Sequence, residues 1–161
     1  MEVTNDSRSM LRHTVATLAY RCGKAVRDAP AGFGELKISP ETRTPSEILG
    51  HIADLFDWAL SIAENRQTFK VGDCGSWEAT ADRFFASVAA FDAFLGSEAE
   101  VAAPVERLFQ GPVADALTHT GQLTMLRRIA GSPVRGENYF VAEIQSGSVG
   151  PNQAPARYEF D

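Results

Sequence analysis

The segment TPSEILGHIADLFDWALSIAEN, residues 44–65, predicts an amphipathic helix with a well-defined start. Thr44 suits the N-cap, Pro45 the first helical position, and Glu47 the closing position of a capping box. Apolar side chains follow every three or four residues, at Ile48, Ile52, Leu55, Ala59 and Ile62. Because a helix of this kind buries one face, the segment predicts packing against other helices.

The chain contains three further stretches with this apolar spacing, at about residues 7–29, 76–96 and 112–130. Pro30 is expected to end the first helix, and Ser76 is a candidate N-cap for the third. Pro112 is expected in the first turn of the last helix, which Gly131 should end. With four helices and no strand pattern, residues 1–161 are predicted to form a single all-α domain, an antiparallel four-helix bundle.

Residues 132–161 are predicted to form an irregular C-terminal tail, because Gly and Pro residues interrupt them repeatedly. The same residues include aromatic and aliphatic side chains, which a free linker would lack. The tail is therefore expected to pack on the bundle or on a second subunit.

Aromatic residues outside the apolar stripes predict a homodimer. Tyr20 lies opposite the stripe of the first helix, and Phe85 and Phe94 lie beyond the core-facing arc of the third. The tail adds Tyr139, Phe140, Tyr158 and Phe160. Such a surplus would leave apolar patches that monomers usually avoid, and two-fold pairing is the commonest way to bury them.

Charge and composition narrow the range of partners and compartments. The net charge of -6, with no basic stripe, argues against nucleic acid and against an anionic membrane surface. No apolar run reaches the ~18 residues of a membrane span, and the polar start MEVTNDSRSML lacks a signal-peptide core. Cys22 and Cys74 form no CxxC pair, and Cys22 falls on an apolar stripe. These features predict a cytoplasmic protein.

Two of the predicted helices carry a histidine on the apolar side, and these are candidate metal ligands. His119 follows Asp115 by four residues, so their side chains are neighbours, about 5–6 Å apart at Cβ. His51 leans toward the core and could supply a third ligand from a facing helix. Two imidazoles and one carboxylate suit non-haem iron, and also zinc or nickel.

Each of these residues also has a simpler explanation. A lone histidine such as His51 is often a core residue, and an Asp–His pair four residues apart can be a plain hydrogen bond. Asp54, one turn after His51, could accept a hydrogen bond from a ligating histidine or could be solvated. Gln122, one turn beyond His119, could point at the site, whereas His13 is expected to be exposed.

The sequence lacks the motifs of several common enzyme classes. It has no phosphate-binding glycine loop of the Walker or Rossmann type and no GxSxG motif. It also has no HExxH motif, so a zincin mechanism would lack its base. The candidate metal ligands are therefore the strongest functional signal in the chain.

Two stretches resemble the DinB/YfiT-like family of metal-dependent enzymes. They are ILGHIADLFDW at residues 48–58 and DALTHTGQLTMLRRIAGSP at residues 115–133, in which HTGQLxxLRRxxG is the most specific part. The resemblance covers about residues 7–133 and implies a four-helix bundle. The tail lies outside it.

The resemblance also implies a metal site. Members typically place one histidine on the second helix and a His-x3-His pair on the last. His51 matches the first position and His119 the last, whereas Asp115 stands where histidine is common. The family implies a divalent metal ion, either nickel, zinc, iron or manganese, and the carboxylate shifts preference toward iron or manganese. It also implies frequent dimers and, in some members, transferase or isomerase chemistry with low-molecular-weight thiols.

Two functions are compatible with the sequence. In the first, the chain is a divalent-metal-dependent enzyme for group transfer to a thiol, isomerisation or hydrolysis, with His51, Asp115 and His119 as ligands. In the second, it is a non-catalytic dimeric bundle that binds a small molecule and retains a vestigial metal site. The metal content of the purified protein distinguishes the two.

Overall fold

Four helical stretches dominate the computed structural model, which describes residues 5–161. Helix α1 covers Asn5–Val26, α2 covers Pro45–Ala63 and α3 covers Trp77–Leu95. Helix α4 begins with Val105–Leu108, continues through a π-helical turn at Phe109–Val113 and ends with Ala114–Ile129. A short 3-10 helix, Phe33–Glu35, lies between α1 and α2. The predicted all-α four-helix bundle with an irregular tail is confirmed.

Each helix packs mainly against two others, because α1 and α2 both contact α3 and α4. Helices α1 and α3 are antiparallel, since Arg8 near the start of α1 donates to the Leu95 carbonyl at the end of α3. Helices α2 and α4 are also antiparallel. Ile48, near the start of α2, shares a cavity with Leu126 near the end of α4.

Helices α2 and α3 run in the same direction. Gly50 lies beside Thr80, and one turn further along both helices Asp54 pairs with Arg83. A parallel pair needs a connection that returns along the bundle, and residues 64–76 provide it. The prediction of an antiparallel bundle is therefore wrong for this pair, because helical periodicity alone does not report the direction of a helix.

Local capping residues set the starts of two helices as the sequence predicted. The Thr44 hydroxyl accepts a hydrogen bond from the Glu47 N–H at 3.2 Å, and the Glu47 carboxylate accepts one from the Thr44 N–H at 2.7 Å. The Ser76 hydroxyl caps α3 by accepting a single hydrogen bond from the Ala79 N–H at 3.2 Å. The prediction for the end of α1 was wrong by three residues, because the backbone leaves the helix before Asp28, which has φ 53.

The start of α4 corrects the sequence prediction. The helix begins at Val105 rather than at Pro112, and Pro112 lies inside the π-helical turn. Proline has no N–H and its ring clashes with the carbonyl one turn earlier, so it disrupts an ordinary α-helical turn. The wider π turn accommodates the residue without ending the helix.

The core lies between the four helices and is rich in aromatic side chains. Phe56 of α2 and Phe84 and Phe91 of α3 are fully buried, so these two helices supply large aromatic side chains to it. Within residues 5–161, none of the helices combines the length and apolar character that crossing a membrane requires.

The tail packs against α1 and closes with two short antiparallel strands, β1 at Gly136–Glu137 and β2 at Glu159–Phe160. Glu137 accepts hydrogen bonds from the Tyr20 hydroxyl and the Lys24 ammonium group, both at 2.8 Å. Tyr20 is therefore buried under the tail of its own chain. The aromatic surplus that predicted a homodimer is smaller than the sequence suggested, because Phe85 is buried as well.

The homodimer stays a prediction, and it now depends on the outer side of the tail. Phe140 is 97% exposed there. We expect the full chain to sediment at twice the 17.4 kDa mass of one chain, and Phe140→Ser to shift the equilibrium toward the monomer. Val71→Ser, at another exposed apolar position, should leave it unchanged. A monomer at all concentrations would contradict the dimer, and a dimer that tolerates Phe140→Ser would exclude the role of Phe140.

Candidate metal centre

The antiparallel packing of α2 against α4 brings the three predicted ligands together. One nitrogen or oxygen atom from each of His51, Asp115 and His119 lies within 4.8 Å of the others. His51 comes from the second turn of α2, whereas Asp115 and His119 lie one turn apart on α4. The predicted convergence of the three side chains is therefore observed.

The separations fit ligands of a common ion better than a direct contact. Asp115 Oδ2 lies 3.5 Å from His51 Nε2, and Asp115 Oδ1 lies 3.4 Å from His119 Nε2. A charge-assisted hydrogen bond between these groups would be about 2.7–2.9 Å long. Two ligands that are each about 2.1 Å from a tetrahedral ion are about 3.4 Å apart. The residues present thus fit a divalent ion, with the Asp115 carboxylate close to both imidazoles.

Gln122 fixes the orientation of the His119 ring. Its side-chain oxygen lies 2.8 Å from His119 Nδ1 and accepts the hydrogen bond from that nitrogen. The proton is then held on Nδ1, which leaves the Nε2 lone pair directed toward Asp115 and His51. This arrangement is typical of metal-binding histidines, and it supports the hypothesis that Gln122 belongs to the site.

Local electrostatics favours the neutral form of His51. Partial burial lowers the pKa of His51 below its usual value, and His119 and Arg43 lower it further, whereas Asp115 opposes the shift. Neutral imidazole is the form that binds metal ions. The side chains of His119 and His51 are 13% and 23% exposed, and that of Asp115 is 48% exposed, so the centre is open to solvent on the side of Asp115.

Two of the cavities that adjoin the centre have Asp115 in their walls. The larger, of about 660 Å³, extends from His51, Asp115 and His119 along the second half of α4. The smaller, of about 460 Å³, lies on the other side of Asp115, and its walls include Trp58 and Gly111. Gly111 belongs to the π-helical turn, so this irregular turn shapes the access to the centre. Asp115 is common to both cavities.

Asp54 does not take either of the roles considered for it. It is buried, pairs with Arg83 and accepts a hydrogen bond from the Gly72 N–H at 3.0 Å. Arg83 also pairs with Asp57 at 3.1 Å. Asp54 therefore joins α2 to α3 and to the loop between these two helices. It is neither solvated nor bonded to a histidine. The pattern of α2 could not predict this, because the partner lies on another helix.

The structure also shows the positions of two residues that the sequence analysis considered, His13 and Cys22, and of one that it did not, Arg43. His13 is exposed and Cys22 is fully buried, as expected, and burial raises the pKa of the Cys22 thiol to about 12. Arg43 was not identified from the sequence, yet it lines the larger cavity beside His51. It lies in the loop before Thr44, where no periodic pattern assigns a residue to a face.

Comparison of the chain with protein-family models, curated proteins and solved structures gave no match.

Proposed function

We propose that the protein is a divalent-metal-dependent enzyme whose ion is held by His51, Asp115 and His119. The observation that carries the proposal is the convergence of three ligand atoms within 4.8 Å of one another from two helices. The resemblance of the same stretches to the DinB/YfiT-like family supports it independently of the distances.

The protein's own residues have distinct roles in this proposal. His51 and His119 bind as neutral imidazoles, and the Asp115 carboxylate offsets part of the ion's charge. Gln122 holds the His119 ring in place by accepting a hydrogen bond from its Nδ1–H group. When bound, a divalent ion supplies Lewis-acid chemistry that lowers the pKa of a bound water or thiol.

The proposed reaction is group transfer to a low-molecular-weight thiol, isomerisation or hydrolysis. Nickel, zinc, iron and manganese are the candidate ions. Compared with a site of three imidazoles, the carboxylate shifts the preference toward iron or manganese. A non-catalytic bundle that binds a small molecule is the second candidate. The 660 Å³ cavity supports this second candidate as much as the first, since a cavity of this size can accept a small molecule without a metal ion.

Metal titration of the chelator-treated protein tests the proposal. We expect one divalent ion per chain by calorimetry and elemental analysis. His119→Ala should weaken binding by about 100-fold or more, because even residues that merely orient a ligand are worth about 10–100-fold. The control is His13→Ala, which removes an exposed histidine on α1 outside the candidate metal group and should leave binding unchanged.

The possible results separate the two candidates. If the wild type binds no ion after reconstitution with any of the four metals, the metal-dependent enzyme is excluded and the small-molecule bundle is favoured. If His119→Ala and His13→Ala bind equally tightly, the ion lies elsewhere. A metal-loaded protein that binds one ion can then be screened with thiol cosubstrates.

Replacement of Asp115 tests whether the carboxylate is a ligand. Asp115→Ala should weaken binding, whereas Asp115→His should retain a metal and shift preference toward zinc or nickel, because a third imidazole is a softer ligand than a carboxylate. Competition titrations of zinc against manganese measure this shift. Wild-type affinity in Asp115→Ala would show that Asp115 is not a ligand.

A further inference from the structure

The walls of the larger cavity are mainly apolar beyond the metal centre. Ile38 comes from the loop between α1 and α2, Ile48 from α2, and Met125, Leu126 and Ile129 from the second half of α4. Ile38, Met125 and Ile129 are about half exposed, which is unusual for three large apolar side chains around one space. A volume of about 660 Å³ is within the range of small-molecule sites.

One positive charge stands at the end of the cavity that includes His51. Arg43 is exposed, and within residues 5–161 its guanidinium group has no hydrogen-bond or ion-pair partner. The Glu47 carboxylate, one turn further along the chain, accepts a hydrogen bond from the Thr44 N–H and forms no ion pair with Arg43, although this hydrogen bond and, to a smaller extent, the charge of Arg43 lower the pKa of Glu47. An anionic group that enters the cavity would therefore find a guanidinium group that is not engaged in an ion pair.

The chemistry of the walls limits what can bind. Among the described residues, Arg43 is the sole lysine or arginine in the lining, so a ligand with several phosphates would be poorly compensated. Polar groups other than the metal ligands are few, and Gln122 is occupied by His119. A sugar, which needs many hydrogen-bond partners, would leave its hydroxyl groups unsatisfied.

We propose that this cavity binds a small amphiphile with an apolar body and a single negative charge, such as an aliphatic carboxylate. The apolar body lies along Ile38, Met125 and Ile129, and the anionic group pairs with Arg43. The ligand then reaches the centre formed by His51, Asp115 and His119, and its assignment as the substrate rests on the proposed metal-dependent function.

The test uses octanoate, with octanol and octylamine of the same chain length for comparison. Titration of each into the metal-loaded protein, followed by methyl NMR, should shift the signals of Ile38, Ile48, Ile129 and Met125. The signals of Ile62, Ile144 and Met10, which do not line the cavity, should stay in place. Octanoate should bind about tenfold or more tightly than octylamine. The carboxylate of octanoate makes a charge-assisted contact with Arg43, whereas the ammonium group of octylamine is repelled by it.

Two variants separate the anionic contact from the apolar one. Arg43→Gln should weaken octanoate binding about three- to tenfold and leave octanol binding unchanged. Met125→Gln should weaken both. Its control is Met10→Gln, since both methionines are on helices and well exposed, at 58% and 66%. Neither methionine replacement is expected to affect folding.

Each alternative result has a distinct meaning. Metal binding without octanoate binding, or equal binding of octanoate and octylamine, overturns the ligand assignment and leaves the metal function intact. Octanoate binding without metal binding overturns the metal function and, with it, the assignment of this ligand as a substrate. If the cavity signals shift with protein concentration and not with octanoate, a second copy of the chain occupies the cavity and the proposal is wrong.

Discussion

Replacement of Glu137 by alanine is expected to lower the free energy of unfolding by about 3–5 kcal/mol, as for one partner of a buried ion pair. The Glu137 side chain is fully buried and accepts hydrogen bonds from Tyr20 and Lys24. Its removal leaves the Tyr20 hydroxyl without an acceptor and deprives the buried Lys24 ammonium group of one of its two carboxylates. Urea denaturation measures the loss.

The control for this prediction is another acidic residue of the tail. Glu143 pairs with Arg157 at 3.2 Å, but both side chains are more than half exposed. Glu143→Ala should therefore cost about 1 kcal/mol or less. If the two variants are equally stable, the contact between the tail and α1 does not stabilise the bundle.

Arg127→Met is expected to have an effect of similar size, about 3–5 kcal/mol. The Arg127 guanidinium is buried and donates to the carbonyl groups of Ala25, Arg27 and Asp28, at 2.8–3.2 Å, and to Ser132. These carbonyl groups belong to the last turn of α1 and to the two residues that follow it, where intrahelical partners are lacking. Burial lowers the pKa of Arg127 below its usual value, as expected for a cation paired with carbonyl groups rather than with a carboxylate.

The neighbouring residue supplies a matched control for Arg127. Arg128 lies in the same helical turn and is exposed, so Arg128→Met should change stability by about 0.5 kcal/mol or less. Arg127→Lys should recover only part of the loss, because an ammonium group cannot reproduce the fork of donors. Thermal or urea denaturation measures the free energy of unfolding of the three variants. Equal stability of Arg127→Met and Arg128→Met would show that the buried contacts of Arg127 do not stabilise the protein.

Both predictions concern contacts that sequence analysis underestimated. By their positions in the sequence Arg127 and Arg128 are equivalent, since both lie in the last turn of the last helix, where a cation complements the helix dipole. The structure separates them, because only Arg127 reaches the carbonyl groups at the end of α1. Tyr20 was placed outside the core, yet the tail covers it.

The sequence was most informative about the candidate site. Helical phase placed His51 on the inner side of one helix and Asp115 and His119 on one face of another. The convergence of these side chains follows once the two helices face each other. Arg43 could not be identified in this way, because the path of a loop depends on the elements that it connects.

The sequence by itself determined the number of helices, the capping of α2 and α3, and the face on which each candidate ligand lies. These properties depend on residues within one or two turns, so neighbouring side chains are sufficient to specify them. The tertiary structure decided the parallel course of α2 and α3, the pairing of Asp54 with Arg83, and the cover that Glu137 forms over Tyr20. Those contacts join residues that are far apart in the chain, and they form only when packing of the whole bundle offsets the entropy of bringing them together.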